Sequence, residues 1–214
     1  MVTVLFYGVA LMNFVISAIR KKNNFFAGMA YVAIFILMTY NSEGPDIANY
    51  INGYLNSMVG NTGFGEGGFN LLMKLGNIMH LNFYSFRAVL TIVCLLLLHN
   101  TIKFYNTNEN SVISLYMLFL FFMDTIQIRN FVVEIIFIYS TRFLIQDKAF
   151  DSLKYIICIL VASLFHAIAP IYLILLVCKF VRTQKIYKLI LIFSICSFVF
   201  FMLFRNCLNY IVMF

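Results

Sequence analysis

The stretch SLFHAIAP, residues 163–170, interrupts an apolar run that extends from residue 155 to 178. One straight helix through it would cross a bilayer. It would place Lys179, Arg182, Lys185 and Lys188 on the opposite face from the preceding basic segment, which holds Arg142, Lys148 and Lys154. Lys and Arg gather in cytoplasmic loops, so these two successive basic segments belong on one face. A turn near His166 to Pro170 meets that condition. Proline has no backbone donor and clashes inside a helix, which favours a break into two half-helices entering and leaving on the cytoplasmic side. Non-helical backbone at membrane depth persists only where protein buries it or where it lines a wet cavity.

The rest of the composition agrees with a membrane setting. Of 214 residues 63% are hydrophobic and 11% charged, and the mean hydropathy is +0.94, well beyond the roughly half-apolar usage of soluble domains. Apolar runs of about 20 residues separated by short polar stretches predict helices rather than barrel strands. The net charge of +7 lies in the inter-helix segments, where it orients a membrane protein and does not call for nucleic acid. Cys94, Cys158, Cys178, Cys196 and Cys207 form no C-x-x-C pair and have no His at ligand spacing, so neither a metal site nor a disulfide framework is indicated. The first charges, Arg20, Lys21 and Lys22, follow the first apolar run; that run reads as an uncleaved span with the N-terminus extracytoplasmic.

The expected fold is all-α: a polytopic transmembrane helical bundle forming a single integral membrane domain over residues 1–214. About six full spans are predicted, over residues 2–19, 25–40, 83–104, 112–128, 129–145 and 189–204, with a broken half-helix hairpin near residues 155–180. Ser111 is a plausible N-cap for the fourth. Between the second and third spans, residues 41–82 form an extracytoplasmic loop. Within it Ile47, Tyr50, Ile51 and Tyr54, and then Phe69, Leu72, Met73 and Leu75, recur at helical spacing, which predicts two short amphipathic helices. The chain is still apolar at Phe214 and is read as shortened at its C-terminus.

On this topology Asp46, Glu66, Lys74, His80, Arg87, Asp124, Arg129 and His166 gather at the extracytoplasmic face, with Glu134 deeper. Ionisable groups at such depth are costly and mark function when they face a bundle interior. Arg129 presents planar paired donors suited to a diphosphate; the alternative is an anchor paired with Asp124 or Glu134. Arg87 reads as a snorkelling anchor or a helping phosphate contact. His166 is a general base, a phosphate donor or an interhelical hydrogen-bonding group. Asp46 and Glu66 are placed to position or deprotonate a sugar hydroxyl; otherwise Asp46 is an N-cap and Glu66 a solvated loop charge. GFGEGG, residues 63–68, matches a dinucleotide fingerprint in letters alone, because no βαβ unit surrounds it. It is expected to be a flexible turn.

The ordered segments PDIANYINGY, GEGGFNLLMKL, NFYSFRAVLTIV, IRNFVVEIIFIYS and ASLFHAIAPIYLIL resemble the EpsG-like, Wzy-type family of bacterial polysaccharide polymerases over roughly residues 42–188. The resemblance places the family's acidic and tyrosine positions on Asp46, Tyr50 and Tyr54, its glutamate on Glu66, its arginine on Arg129 and its histidine on His166. Asn130 stands where the family commonly has glutamine, and Ala169 and Pro170 depart from its usual continuation. Members are usually longer, with further spans. What the resemblance implies is polymerisation of undecaprenyl-diphosphate-linked repeat units of a capsule, exopolysaccharide or O-antigen. This would take place at the outer face of the bacterial cytoplasmic membrane, without metal or other cofactor. Arg129 and Arg87 would hold the diphosphate, Tyr50 and Tyr54 the sugar, and His166, Asp46 or Glu66 would take the proton. Chain-length regulator and flippase proteins are the implied partners. A flippase or transporter for lipid-linked saccharide, and a non-catalytic component of an assembly complex, are the competing readings.

Overall fold

The computed structural model describes residues 2–19, 23–42, 46–60, 63–105, 107–146, 148 and 150–180. Among the described residues every regular element is helical. In chain order these are α1 (Val2–Ile19), α2 (Asn24–Tyr40), α3 (Ile47–Leu55), a 3-10 turn (Ser57–Val59), α4 (Gly67–Ile78), α5 (Phe83–Phe104), α6 (Glu109–Phe119), α7 (Phe121–Ile126), α8 (Ile128–Gln146), α9 (Asp151–Ser163), a second 3-10 segment (Ala169–Leu173) and α10 (Ile174–Phe180). The chain divides into two compact units, Met1–Leu173 and Ile174–Phe214. Of the second, the described part is α10, a single apolar helix with Lys179 in its last turn.

In the first unit, α1, α2, α5, α6 and α8 meet in one apolar core, with Ala10, Ile34, Met38, Leu98, Ile113, Phe131 and Ile135 buried at its centre. Small residues on α1 and α2 (Ala10, Ala30) let the backbones approach. One described helix, Phe83–Phe104, is long and apolar enough to cross a membrane by itself; Phe6–Ile19 and Asn24–Tyr40 are shorter apolar helices. The predicted sixth span, residues 189–204, lies outside the described residues, as do Arg20, Lys21, Lys22, Arg182, Lys185 and Lys188.

Helix starts follow local side-chain chemistry. Asn23 Oδ1 accepts from the Phe25 and Phe26 N–H groups at the head of α2, and Asn82 Oδ1 accepts from Ser85 N–H at 2.8 Å at the head of α5. Such caps satisfy amides that no helical turn can reach. At α6 the cap is Asn108, whose Oδ1 accepts from Asn110 N–H at 3.2 Å, and not the expected Ser111, which lies inside the helix. The predicted span 112–128 is also two pieces: α6 stops at Phe119 and α7 continues after Leu120. Across that joint the Tyr116 hydroxyl donates to Asp124 Oδ2 at 2.6 Å.

Both amphipathic helices expected between residues 41 and 82 are present as α3 and α4. Tyr50, Tyr54, Phe69 and Met73 are buried against Phe83, Phe86 and Ile128, so the loop is a packed cap seated on the starts of α5 and α8. Asp46 precedes α3 but its side chain makes no capping hydrogen bond, which corrects the N-cap reading.

The opening stretch does break the helix. α9 ends at Ser163, the chain turns through residues 164–168, and the 3-10 segment packs back on α9. Tyr155 donates from its hydroxyl to the Tyr172 carbonyl at 2.5 Å; a continuous helix would hold residues so far apart in sequence roughly 25 Å from each other. The break starts at Leu164, ahead of Pro170, where a distant segment takes the carbonyl. The Leu164 carbonyl accepts from the Gly68 and Phe69 N–H groups at 2.9 and 3.3 Å, the free amides of the first turn of α4. A side chain at residue 68 would bring its Cβ within 2.7 Å of Leu164 Cβ and O. GFGEGG is therefore no mere flexible turn: Gly63 takes a left-handed φ of 72°, and Gly68 permits a close helix-to-hairpin approach.

Candidate functional site: a carboxylate shared by Arg129 and His166

Glu66 stands immediately before α4, Arg129 in the first turn of α8, and His166 in the turn after α9. The Gly68–Leu164 contact draws the first and last of these together. Arg129 Nη1 donates to Glu66 Oε2 at 2.5 Å. His166 Nδ1 lies 3.2 Å from Glu66 Oε1. Since a carboxylate only accepts, the ring proton belongs on Nδ1, which leaves Nε2 as the acceptor nitrogen. Arg129 Nε donates to the Tyr50 hydroxyl at 3.2 Å, and its guanidinium lies over the Phe64 ring at 4.6 Å from the centroid. Phe64 in turn stacks on Tyr50, centroids 5.1 Å apart. This shelf fixes the plane of the guanidinium, as cation–π contact favours.

The group is recessed and still reachable: the Glu66, Arg129 and His166 side chains are 13%, 20% and 26% exposed. Burial pushes the Glu66 carboxyl up, but the Arg129 guanidinium, a backbone N–H and His166 more than offset this and hold it below the ordinary carboxylate range. A carboxylate so held is a poor proton acceptor and a good orienting group. Arg129 commits two of its N–H groups, one to Tyr50 and one to Glu66. Glu66 is thus neither a solvated loop charge nor free to act as a base, and Arg129 pairs with it rather than with Asp124 or Glu134.

Arg87 departs from its snorkelling reading. Its side chain is buried at 1% exposure, Nη1 donates to the Asn41 carbonyl at 2.7 Å, and Nε and Nη2 have no partner among the described residues. It lies within electrostatic reach of Tyr50, the residue Arg129 also touches. An unspent buried guanidinium is costly.

The other sequence candidates lie elsewhere. Tyr54 is buried and donates to the Leu81 carbonyl at 2.8 Å, which commits its hydroxyl to holding the α3–α4 cap. Among the described residues no hydrogen bond or ion pair brings Asp46 to the cluster, and Lys74 and His80 are exposed. Asp124 is buried with Tyr116, and Asn130 donates to Gln127 Oε1. Phe64, Asn41 and Gly68 join the site without having stood out in the sequence; the aromatic and glycines flanking Glu66 were the available signal. Among the described residues no group of three or more His, Cys, Asp or Glu is arranged to hold a metal ion.

The family model that matches this chain is that of the EpsG family, over residues 24–214. No curated protein and no solved structure matches it.

Proposed function

Because the chain belongs to the EpsG family, a family of Wzy-type polysaccharide polymerase-like proteins, we propose that it polymerises undecaprenyl-diphosphate-linked oligosaccharide units. The observation that carries this reading is the Glu66 carboxylate bridging an arginine and a histidine at a recessed, reachable site. The acceptor hydroxyl oxygen attacks the anomeric carbon of the donor sugar, and its proton passes to His166 Nε2. The bond from that carbon to the diphosphate oxygen breaks, and the electron pair leaves with the lipid diphosphate.

Arg129, with Arg87 behind Tyr50, stabilises the charge that grows on the leaving oxygens; preset donors aimed at developing charge usually lower the barrier more than any other single device. Glu66 holds the His166 ring in the accepting tautomer, and Tyr50 borders the sugar. Asp46 and Tyr54 take no part in these steps. The lipid diphosphate is already an activated donor, so the scheme needs no cofactor. The site faces outward from a multi-pass bundle in the bacterial cytoplasmic membrane, with the N-terminus on the same side. Flippase and chain-length regulator proteins are natural partners of such a reaction.

The test is purified protein in proteoliposomes supplied with lipid-diphosphate-linked repeat units. Lengthened lipid-linked chains are the expected product. Translocation without lengthening would replace this reading with a flippase, which the broken helix after α9 also suits; neither outcome would leave a non-catalytic component.

A further inference from the structure

At the far end of α5 from Arg87, α2 and α5 part around a cavity of about 570 Å³. Ala27, Gly28, Val32, Phe35, Ile92 and Leu96 make its apolar walls, and Val32, Ile92 and Leu96 remain exposed at its rim. Gly28 is why the space exists: a Cβ built there meets nothing within 4 Å. One end alone is polar, where Asn24, Tyr31, His99, Lys103 and Glu109 meet. There the buried Glu109 carboxylate accepts from the Tyr31 hydroxyl at 2.8 Å and from His99 Nδ1, which takes up its hydrogen-bonding capacity. Lys103 is exposed and forms no ion pair among the described residues.

We propose that this groove is a binding site for an anionic phospholipid of the surrounding bilayer, with one acyl chain along α2 and the phosphate on Lys103 and Asn24. Three features converge on that occupant. From Asn24 to Phe35 the groove runs roughly 16 Å along the helix, about half of a hydrocarbon core of roughly 30 Å, the depth of one leaflet. Its volume lies within the roughly 300–1,000 Å³ of small-ligand sites. The exposed Lys103 ammonium stands at the end where a headgroup would lie, as in the basic interhelical pockets that select anionic lipids. No residue of the Glu66–Arg129–His166 site takes part, so the assignment does not depend on the polymerase reading.

The experiment is photolabelling of the detergent-solubilised full chain with a photoactivatable phosphatidylglycerol, competed with phosphatidylglycerol, phosphatidylcholine or a polyisoprenyl phosphate. Label should fall on peptides of α2 and α5, and phosphatidylglycerol should compete about tenfold better than phosphatidylcholine. Gly28→Leu, which fills the groove while improving helix propensity, should cut labelling at least tenfold. Lys103→Ala should keep labelling but erase the preference for the anionic competitor. Unchanged labelling of Gly28→Leu, a preference that survives Lys103→Ala, or displacement by the polyisoprenyl phosphate alone overturns the assignment.

Discussion

Two polar constellations sit towards opposite ends of α5, and they differ in how much hydrogen-bonding capacity each has left. Towards the later end, Asn110 Nδ2 donates to Asn13 Oδ1 at 2.7 Å and to the Asn23 carbonyl at 3.0 Å. Its Oδ1 accepts from Asn23 N–H at 3.0 Å, and Asn13 Nδ2 donates to the Phe26 carbonyl at 2.6 Å. Asn13 and Asn110 are fully buried, and none of their side-chain polar atoms lacks a partner. Towards the earlier end, Arg129 and His166 keep free donor and acceptor positions, and Arg87 has two guanidinium nitrogens unspent. A saturated buried network holds α1, α2 and α6 in place; the other keeps polar groups that the described residues do not satisfy.

Substitutions can break that contrast from either side. Arg129→Ala is expected to have the largest effect: a loss of polymer formation on the order of 100- to 1,000-fold, with unchanged membrane insertion and elution. Normal chain length in that variant would remove the diphosphate role. Gly68→Ala drives a Cβ to 2.7 Å from Leu164 and shifts Glu66 relative to His166. A displacement of about 1 Å at a reacting group costs about 100-fold, so turnover should fall tens-fold, alongside roughly 1–3 kcal/mol of stability.

Asn110→Ala should do the reverse. It strands the Asn13 and Asn23 groups at a cost of about 1–3 kcal/mol, lowering the thermal midpoint while leaving turnover per folded molecule intact.

The smallest effect concerns pH. Glu66 is held below its ordinary value of 4.5, so its contribution to stability is fully present above that value and is lost as pH falls through the depressed one. The midpoint difference between wild type and Glu66→Gln should stay constant from neutral pH to the ordinary value and shrink only below it. A difference that vanished in mildly acidic solution would mean that Arg129 and His166 do not hold the carboxylate.

Much of the frame was legible because it depends on local pattern. The i, i+3, i+4 recurrence of Tyr50 and Tyr54, and of Phe69 and Met73, predicts α3 and α4. The cations after residue 178 called for the break in the opening stretch. What stayed hidden depends on contacts between distant segments. At Leu164 the head of α4 takes the carbonyl, a contact that no feature of residues 163–170 encodes. Arg87 looked like an anchor because a residue near a span end usually reaches for water; its burial follows from α3 and Asn41 closing over it. Glu66 looked like loop charge, since nothing local places Arg129 and His166 on either side of it. The four residues around SLFHAIAP that matter most for the site, Leu164, His166, Gly68 and Glu66, belong together only once the cap of α3 and α4 is seated.

The central claim is that the unsaturated end binds a lipid diphosphate, and the dissociation constant of undecaprenyl diphosphate for the purified protein tests it most directly. Binding should weaken about tenfold or more in Arg129→Ala and stay at the wild-type value in Asn110→Ala. Equal affinity in wild type and Arg129→Ala, or an equal loss in both variants, would contradict it.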